Sequence, residues 1–471
     1  MIPLWTKRAF VDALDGEKTG TLGDDITGVS IDTRTLQQGD AFFAIRGERF
    51  DGHDFIPAAV KNGASVLVVA KEHADALKKA GVPLVIVDDV LAALEKLAAA
   101  ARKRAHAKIV AVTGSVGKTT TKEALRHALS TIGKVHASPA SFNNHWGVPL
   151  TLARLPADAD FGIFEIGMNH ENEIRPLAKL VEPDLVIITC IAAAHLGHFA
   201  SMEAIADAKA EIFEGLKVGG TALLNADDGL FAYLVKKARK AGVAHIASFG
   251  EAAKADYRLL DMRLHAACSC FKALLGRQEA MVKIGAPGRH MVQNALAVLG
   301  AADILGADIA RVSLSLQDFT AEGGRGARYE LALPSGGTFL LIDESYNANP
   351  VSMGAGLALL ANSDIGQRGR RIAVLGDMLE LGRFSREAHE KLQEPMREAG
   401  VSLAFLGGQE MKYLADVLRD DLQVYYRETA GDLLPLVLNE IRAGDVVMVK
   451  SSNSVGSSRI VAALLDRYKP A

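Results

Sequence analysis

Short apolar runs alternate with longer amphipathic stretches along almost the whole chain, and this alternation predicts an α/β protein. In the first region the strand-like runs are DAFFAI (40–45), SVLVVA (65–70) and PLVIVDD (83–89). The alanine-rich LAALEKLAAAARKRAHA (91–107) follows with helical spacing, and its closing basic residues suit the negative end of a helix dipole. The middle region opens with KIVAV (108–112), a glycine-containing loop and a helix from about 118. FGIFEIG (161–167), DLVIITCI (184–191) and TALLNADD (221–228) are continuous apolar runs, as expected for a parallel sheet covered on both faces. RHMVQNALAVLGAADIL (289–305) has helical spacing, and the glycine-rich AEGGRGARYE (321–330) reads as a linker. The last region repeats the alternation with TFLLIDESY (338–346), RRIAVLGDM (370–378), SLAFLGG (402–408) and DVVMVKSS (445–452). The expected organisation is three α/β domains, 1–107, 108–325 and 326–471, the last a small doubly wound, Rossmann-like unit. No repeat or low-complexity tract interrupts it.

Composition changes this picture little. A chain of 471 residues exceeds what one core supports and fits domains of about 150 residues each. The formal charge of −3 gives no global reason to expect nucleic acid or an anionic membrane as a partner. Cys190, Cys268 and Cys270 match neither a metal-ligand spacing nor a disulfide framework, so a cytoplasmic location is expected. The opening MIPLWTKRAFVDALDG lacks an apolar signal core, and no apolar stretch reaches the roughly 20 residues that span a bilayer. The nearest approach, 185–194, runs into His195, and no membrane insertion is expected.

Candidate chemistry concentrates in AVTGSVGKTTTKE (111–123), which follows a strand-like run and opens a helix-like one. It departs from the phosphate-loop pattern G-x-x-x-x-G-K-[ST], because Val112 stands where that pattern has its first glycine. The residues present still have a mechanism. Gly114 and Gly117 let backbone N–H groups approach phosphate oxygens, and the helix N-terminus adds positive potential. Lys118 supplies a charge toward the β- and γ-phosphates, and the Thr119 hydroxyl suits Mg²⁺. A strand-to-helix turn that happens to hold Gly-Lys is the plain alternative. Glu165 ends a strand-like run, where a carboxylate either holds Mg²⁺ or is simply solvated. His195 lies past the next such run, near His198; a lone histidine there is more often a structural hydrogen-bonder. Lys209 sits in the alanine-rich IADAKAEIFEGL (205–216), although most helical lysines belong to a solvated face.

The order of the surrounding stretches makes the reading more specific. TGSVGKTTTKE (113–123), SFNNHWGVPLTL (141–152), FEIGMNHENEI (164–174), AAAHLGHFASMEAIADAKAEIF (192–213) and ESYNANPVSM (344–353) resemble, in that order, the Mur ligase family. Its members are ATP-dependent ligases of peptidoglycan precursors, and they use a shortened T-G-x-x-G-K-T loop, which assigns Val112 to the strand. YNANP with VLGDMLELG (374–382) resembles the dipeptide-adding branch in particular. The likeness runs from SIDTRTLQQGDAFFAIRGERFDGHDF (30–55) to MVKSSNSVGSSRI (448–460).

The resemblance implies an N-terminal α/β domain that holds the UDP end of UDP-N-acetylmuramoyl-tripeptide, at Thr33, Arg34, Gly47, Asp51 and His53. It implies a central P-loop-type parallel-sheet ATPase domain and a C-terminal Rossmann-like domain that brings D-alanyl-D-alanine. Asn143 and Asn144 fall near the muramoyl peptide by the same resemblance. The implied triphosphate cradle is Thr113, Gly114, Ser115, Val116, Gly117, Lys118 and Thr119, with Asn294 on the adenine side and Arg325 reaching ATP on domain closure. Asp343, Asn347 and Asn349 match positions on the nucleotide and incoming-amine side. Two Mg²⁺ ions are implied, one held by Thr119 and Glu165, the other positioned by His195 and Lys209. The family carries a carbamylated lysine at the position of Lys209, where CO₂ turns a cation into a carboxylate-like ligand. The implied catalytic set is therefore Lys118, Glu165, His195 and Lys209. The chain departs from the family pattern at Glu344, where a second aspartate is usual, and at Ser451, where glycine is usual.

The implied reaction transfers the γ-phosphoryl group of ATP to the peptide carboxylate, and the dipeptide amine then displaces phosphate. A monomer is expected. The rival readings are a Mur ligase adding a single amino acid, a folylpolyglutamate synthase, and an ATP-binding switch that forms no bond.

Overall fold

The computed structural model describes residues 3–23, 25–77, 81–139, 141–193 and 197–471. His195 lies outside the described residues. Among them the strands form three sheets, of five, nine and six strands.

The first sheet places Gly28–Ser30, Asp40–Phe43, Val66–Ala70 and Leu84–Val87 side by side and parallel. Glu17–Thr19 closes one edge antiparallel. Helix Val90–Arg104 then leads into the second sheet; Asp89 caps its start through the N–H groups of Leu91 and Ala92.

At the centre of the second sheet, Lys108–Thr113 lies between Phe161–Glu165 and Leu185–Ile188, all parallel. The chain reverses its direction of travel across the sheet at this point, so a crevice opens beyond the carboxyl end of Lys108–Thr113. Thr221–Asn225 and His245–Gly250 continue the parallel part. The far edge departs from the expected parallel sheet. Tyr257–Leu264, Ser269–Leu275 and Gln278–Ile284 add a meander in which the successive pairs are antiparallel. Its strands are covered on one face by helix Arg289–Ile304, so buried residues alternate with partly exposed ones along Ser269–Leu275.

The third sheet runs Ala327–Ala332, Thr338–Glu344, Val446–Lys450, Arg371–Gly376, Leu403–Gly407 and Gln423–Arg427, and only the first strand is antiparallel. The linker expected at 321–330 is thus shorter, since a strand starts at Ala327.

The cores divide the molecule unevenly. One core runs from Trp5, Phe10 and Leu97 through Val148 and Leu152 to Ile188 and Ile212, joining the first sheet to one face of the second. Polar contacts reinforce that junction: Trp5 Nε1 donates to Ala153 O at 3.0 Å, and Arg104 stacks on the Trp5 ring. The cores of the third sheet, around Leu375 and Met448 and around Phe405 and Val449, contain only its own residues. Among the described residues no helix is long and apolar enough to cross a membrane.

Candidate active site

The glycine loop rises from the end of Lys108–Thr113 beneath a cleft of about 740 Å³ that lies between the second and third sheets. Gly114 and Gly117 have φ of 146° and 87°, conformations that side chains rarely adopt. Both also lack space. A Cβ on Gly117 would stand 2.8 Å from Asn294 Oδ1, and one on Gly114 would overlap the Thr189 hydroxyl. Ser115 ties the loop to the neighbouring strand end, accepting from Ala192 N at 2.9 Å and donating to Ala192 O at 3.1 Å. The Thr189 hydroxyl donates to Val116 O. Helix Lys118–Leu129 then begins without a side-chain cap, which leaves its first N–H groups available to an anion.

Lys118 Nζ donates to Gly114 O at 2.7 Å, folding the side chain over the loop. Burial lowers its pKa, against the pull of Glu165. Thr119 Oγ1 donates to Glu165 Oε2 at 2.8 Å, and Asn143 Nδ2 donates to Glu165 Oε1 at 2.7 Å. Ser141 Oγ lies 3.2 Å from Thr119 Oγ1 and accepts from Arg325 Nη2 at 3.0 Å. Arg325 also stacks on the Tyr346 ring at 4.0 Å, linking the glycine loop to the third sheet. Loop, carboxylate and arginine thus form one hydrogen-bonded group.

This donor set fits a magnesium nucleotide. The glycines leave room for phosphate oxygens, Lys118 supplies positive charge, and a hydroxyl and a carboxylate meet where a hard cation takes oxygen ligands. The Thr113 hydroxyl, fully buried just before the loop, has no hydrogen-bond partner among the described residues.

Lys209 belongs to helix Met202–Ala210, close enough to Lys118 for their charges to interact. It is 1% exposed, and its amine makes no hydrogen bond or ion pair to a described residue. Burial first, then repulsion from Lys118, lowers its pKa well below the ordinary lysine value. That is the state in which an amine reacts with CO₂.

Other expected residues are placed differently. Asn294 sits against Gly117 in the loop itself. Asp343 lies under the cleft floor, where it accepts from Gly324 N at 2.7 Å and from the Ser345 hydroxyl at 2.6 Å. Asn347 and Asn349 line the cleft, and the Asn349 side chain forms a capping box with Ser352 at the start of helix Pro350–Ala361. Asn144 Oδ1 accepts at 2.9 Å from the N–H of Gly147, the first residue of helix Gly147–Ala153.

Thr33, Arg34 and Gly47 fall in loops at the carboxyl edge of the first sheet, the edge where parallel sheets take ligands, and Asp51 caps the short 3-10 helix Gly52–Phe55 that holds His53. Arg34 is largely exposed and paired with Asp32, whose carboxyl it holds below the usual range. His53 is buried and doubly engaged: Nδ1 lies 2.6 Å from Asp51, and Nε2 accepts from Ala70 N at 3.0 Å. Asp51, His53 and His73 have metal-ligating chemistry within reach of one another, but both His53 nitrogens already serve the fold. Gly47 packs against Trp146, which follows Asn143 and Asn144 in the chain.

Sequence reasoning did not single out Ser141 or Tyr346, and it named Glu344 only as a departure from the family pattern, without its partner at the cleft floor. There Lys450 Nζ donates to Glu344 Oε2 at 2.8 Å and to Asn347 O at 3.1 Å. Glu344 and Lys450 stand in register at the carboxyl ends of adjacent parallel strands, a relation that only strand pairing creates. Ser451 is fully buried and donates to Ser452 O, so the serine at this position is accommodated.

Comparisons with known proteins agree along the chain. Residues 25–102 match the model of the Mur ligase family, catalytic domain; 112–302 match the Mur ligase middle domain; 328–453 match the Mur ligase, glutamate ligase domain. The chain is 34% identical over 466 residues, 98% of each protein, to the UDP-N-acetylmuramoyl-tripeptide–D-alanyl-D-alanine ligase of Escherichia coli. It resembles a crystal structure of MurF from Acinetobacter baumannii with a TM-score of 0.84 and 29% identity, covering 99% of this chain and 100% of that one. The MurF ligase of Thermotoga maritima in complex with ADP matches with a TM-score of 0.76 and 25% identity, over 93% and 96% of the two chains.

Proposed function

We infer the reaction from membership and geometry together: this chain belongs to the Mur ligase family, and it joins D-alanyl-D-alanine to a UDP-N-acetylmuramoyl-tripeptide at the expense of ATP. The observation that carries the mechanism is the group formed by the glycine loop, Thr119, Glu165, Ser141 and Arg325 in a cleft shared with the third sheet.

Amide synthesis in water is uphill, so the peptide carboxylate is activated first. The γ-phosphoryl group of ATP passes to a carboxylate oxygen, giving an acyl phosphate and ADP. The dipeptide amine attacks the acyl carbon, the bond to the phosphate oxygen breaks, and the amine proton is lost to solvent or a base. Two anionic reactants must meet, so charge neutralisation contributes most. Lys118 and the uncapped N–H groups of helix Lys118–Leu129 hold the phosphates, with Gly114, Ser115, Val116 and Gly117 as the cradle. Thr119 and Glu165 would hold one Mg²⁺; Lys209, as a carbamate, would help hold a second together with His195. Bound there, Mg²⁺ supplies Lewis-acid stabilisation of the phosphoryl oxygens. Asn143 orients Glu165, and Arg325 reaches the nucleotide from the third-sheet side. Thr33, Arg34, Gly47 and Asp51 line the proposed UDP end, with His53 holding their loop in place. Three domains, 1–107, 108–325 and 326–471, would close over the acyl phosphate and exclude water. The free state of all three cysteines suits a cytoplasmic enzyme, and we propose a monomer.

Phosphate release from Mg-ATP, measured with each substrate alone, with both and with neither, tests the reading when paired with mass spectrometry of the product. UDP-muramoyl-pentapeptide formed only with both substrates is the expected result. Phosphate without new amide would return the acceptor to the single-amino-acid ligases or to an ATP switch.

A further inference from the structure

The antiparallel meander at the edge of the second sheet has an inner face packed on helix Arg289–Ile304 and an outer face of half-buried and exposed residues. In a strand, residues two apart share a face, and antiparallel partners stand opposite each other on that face. Two thiols therefore belong to the outer face. Cys270 stands between the buried Ser269 and Phe271, and Cys268, just before the strand, continues the alternation. The Cys268 carbonyl accepts from His265 N at 2.9 Å, which extends the pairing one residue beyond Leu264 and Ser269. Both thiols are free and half-buried. Cys190 is elsewhere, its Sγ donating to Val116 O at 3.7 Å in the glycine loop.

Geometry decides what such a pair can do. At an extended rise of about 3.3 Å per residue the two Cα atoms stand about 6.6 Å apart, and near-parallel Cα–Cβ bonds keep the Cβ atoms about as far. A disulfide needs Cβ atoms within about 4.5 Å, so the pair does not close on itself. One ion held in line between two thiolates needs sulfurs only about 4.6 Å apart, from two bonds of about 2.3 Å. Rotation about χ1 swings the sulfurs toward each other and supplies that separation. Charge then selects the ion. Cys270 stands in register between Arg263 and Lys283 on the flanking strands, and neither cation makes an ion pair to a described residue. Two thiolates around a divalent ion are neutral and gain nothing from these cations. Around a monovalent ion they keep one negative charge, which Arg263 and Lys283 offset. Among soft-ligand metals that description fits Cu(I).

We propose that Cys268 and Cys270 form a binding site for a monovalent thiophilic ion, Cu(I), with Arg263 and Lys283 as its flanking charges. Binding replaces two S–H bonds with two copper–sulfur bonds, releases two protons to solvent and leaves the oxidation state of the metal unchanged. The site is independent of the ligase reading, since none of these residues lines the cleft between the second and third sheets.

Anaerobic titration of the whole chain with Cu(I), buffered by a chromophoric Cu(I) chelator, tests the site. The parent should withdraw one ion per molecule from the chelator and gain ultraviolet thiolate-to-copper absorption. Cys268→Ser and Cys270→Ser should each abolish that uptake, with circular dichroism and ligase kinetics at parent values. The double variant Arg263→Gln/Lys283→Gln keeps both thiols and reads the charge argument separately. It should bind Cu(I) about tenfold more weakly, the scale of losing supporting groups around a metal, while its affinity for Zn²⁺ stays at the parent value. No uptake by the parent, undiminished uptake in either serine variant, or loss of uptake in Cys190→Ser overturns the site. Equal Cu(I) affinity in the parent and the double variant overturns the assignment of a monovalent ion.

Discussion

Lys118 and Lys209 share a water-poor region, and their positive charges disfavour each other. They are expected to fail differently when removed. Lys118→Ala should lower kcat by about 10³-fold, as for loss of one preorganised charge at a transition state, with circular dichroism and Tm near the parent values. Lys209→Ala should lose activity and regain part of it when short carboxylic acids are added, because a carboxylate can replace a carbamate but not an ammonium group. Folding supplies an independent test. Burial makes the Lys209 amine bind its proton less tightly than in the unfolded chain, so its cost to folding is complete below its lowered pKa. That cost fades as pH rises toward the ordinary lysine value. In CO₂-free buffer, Lys209→Met should therefore raise Tm near neutral pH, and the gain should shrink as the buffer becomes alkaline.

At the scale of elements, the turn from strand to helix depends on glycines that have neither the backbone freedom nor the room to change. Gly117→Ala forces a side chain into left-handed φ beside Asn294 Oδ1, which should cost about 1–3 kcal/mol and weaken nucleotide binding. Thermal melts with and without Mg-ATP measure both effects. The capping box at Asn349 raises a separate question, because a residue expected to meet substrate also starts a helix. Asn349→Ala should lose about 1 kcal/mol of stability, and Asn349→Ser, which keeps a capping oxygen, should lose little. A raised KM for the dipeptide in the stable serine variant would then report contact with substrate rather than helix fraying.

The whole molecule consists of a firm pair and a separable third part. A common core binds the first sheet to the second, whereas the third sheet has its own cores and meets the others through polar contacts. Arg325 reaches Ser141, and Gly197 N donates to Glu380 O at 2.8 Å. Such an arrangement favours rigid-body movement of the third part. Small-angle scattering should show contraction when a non-hydrolysable ATP analogue and both substrates are added. Arg325→Ala should reduce that contraction and lower kcat more than it weakens ATP binding.

The amino-acid sequence alone determined the alternation of strands and helices, the glycine loop and the family, because each depends on residues close together in the chain. Strands buried on both faces, such as 108–112 and 161–167, are continuous apolar runs, and the basic end of 91–107 marks a helix terminus. The meander at 257–284 escaped notice because one covered face leaves only alternation, which is weak evidence of a strand. Only the tertiary structure decided that Thr119, Asn143, Glu165 and Arg325 form one connected group, that Asp343 lies under the cleft, and that Glu344 pairs with Lys450. Those relations follow from strand order and register between distant segments, and the spacing of residues along a chain does not encode them.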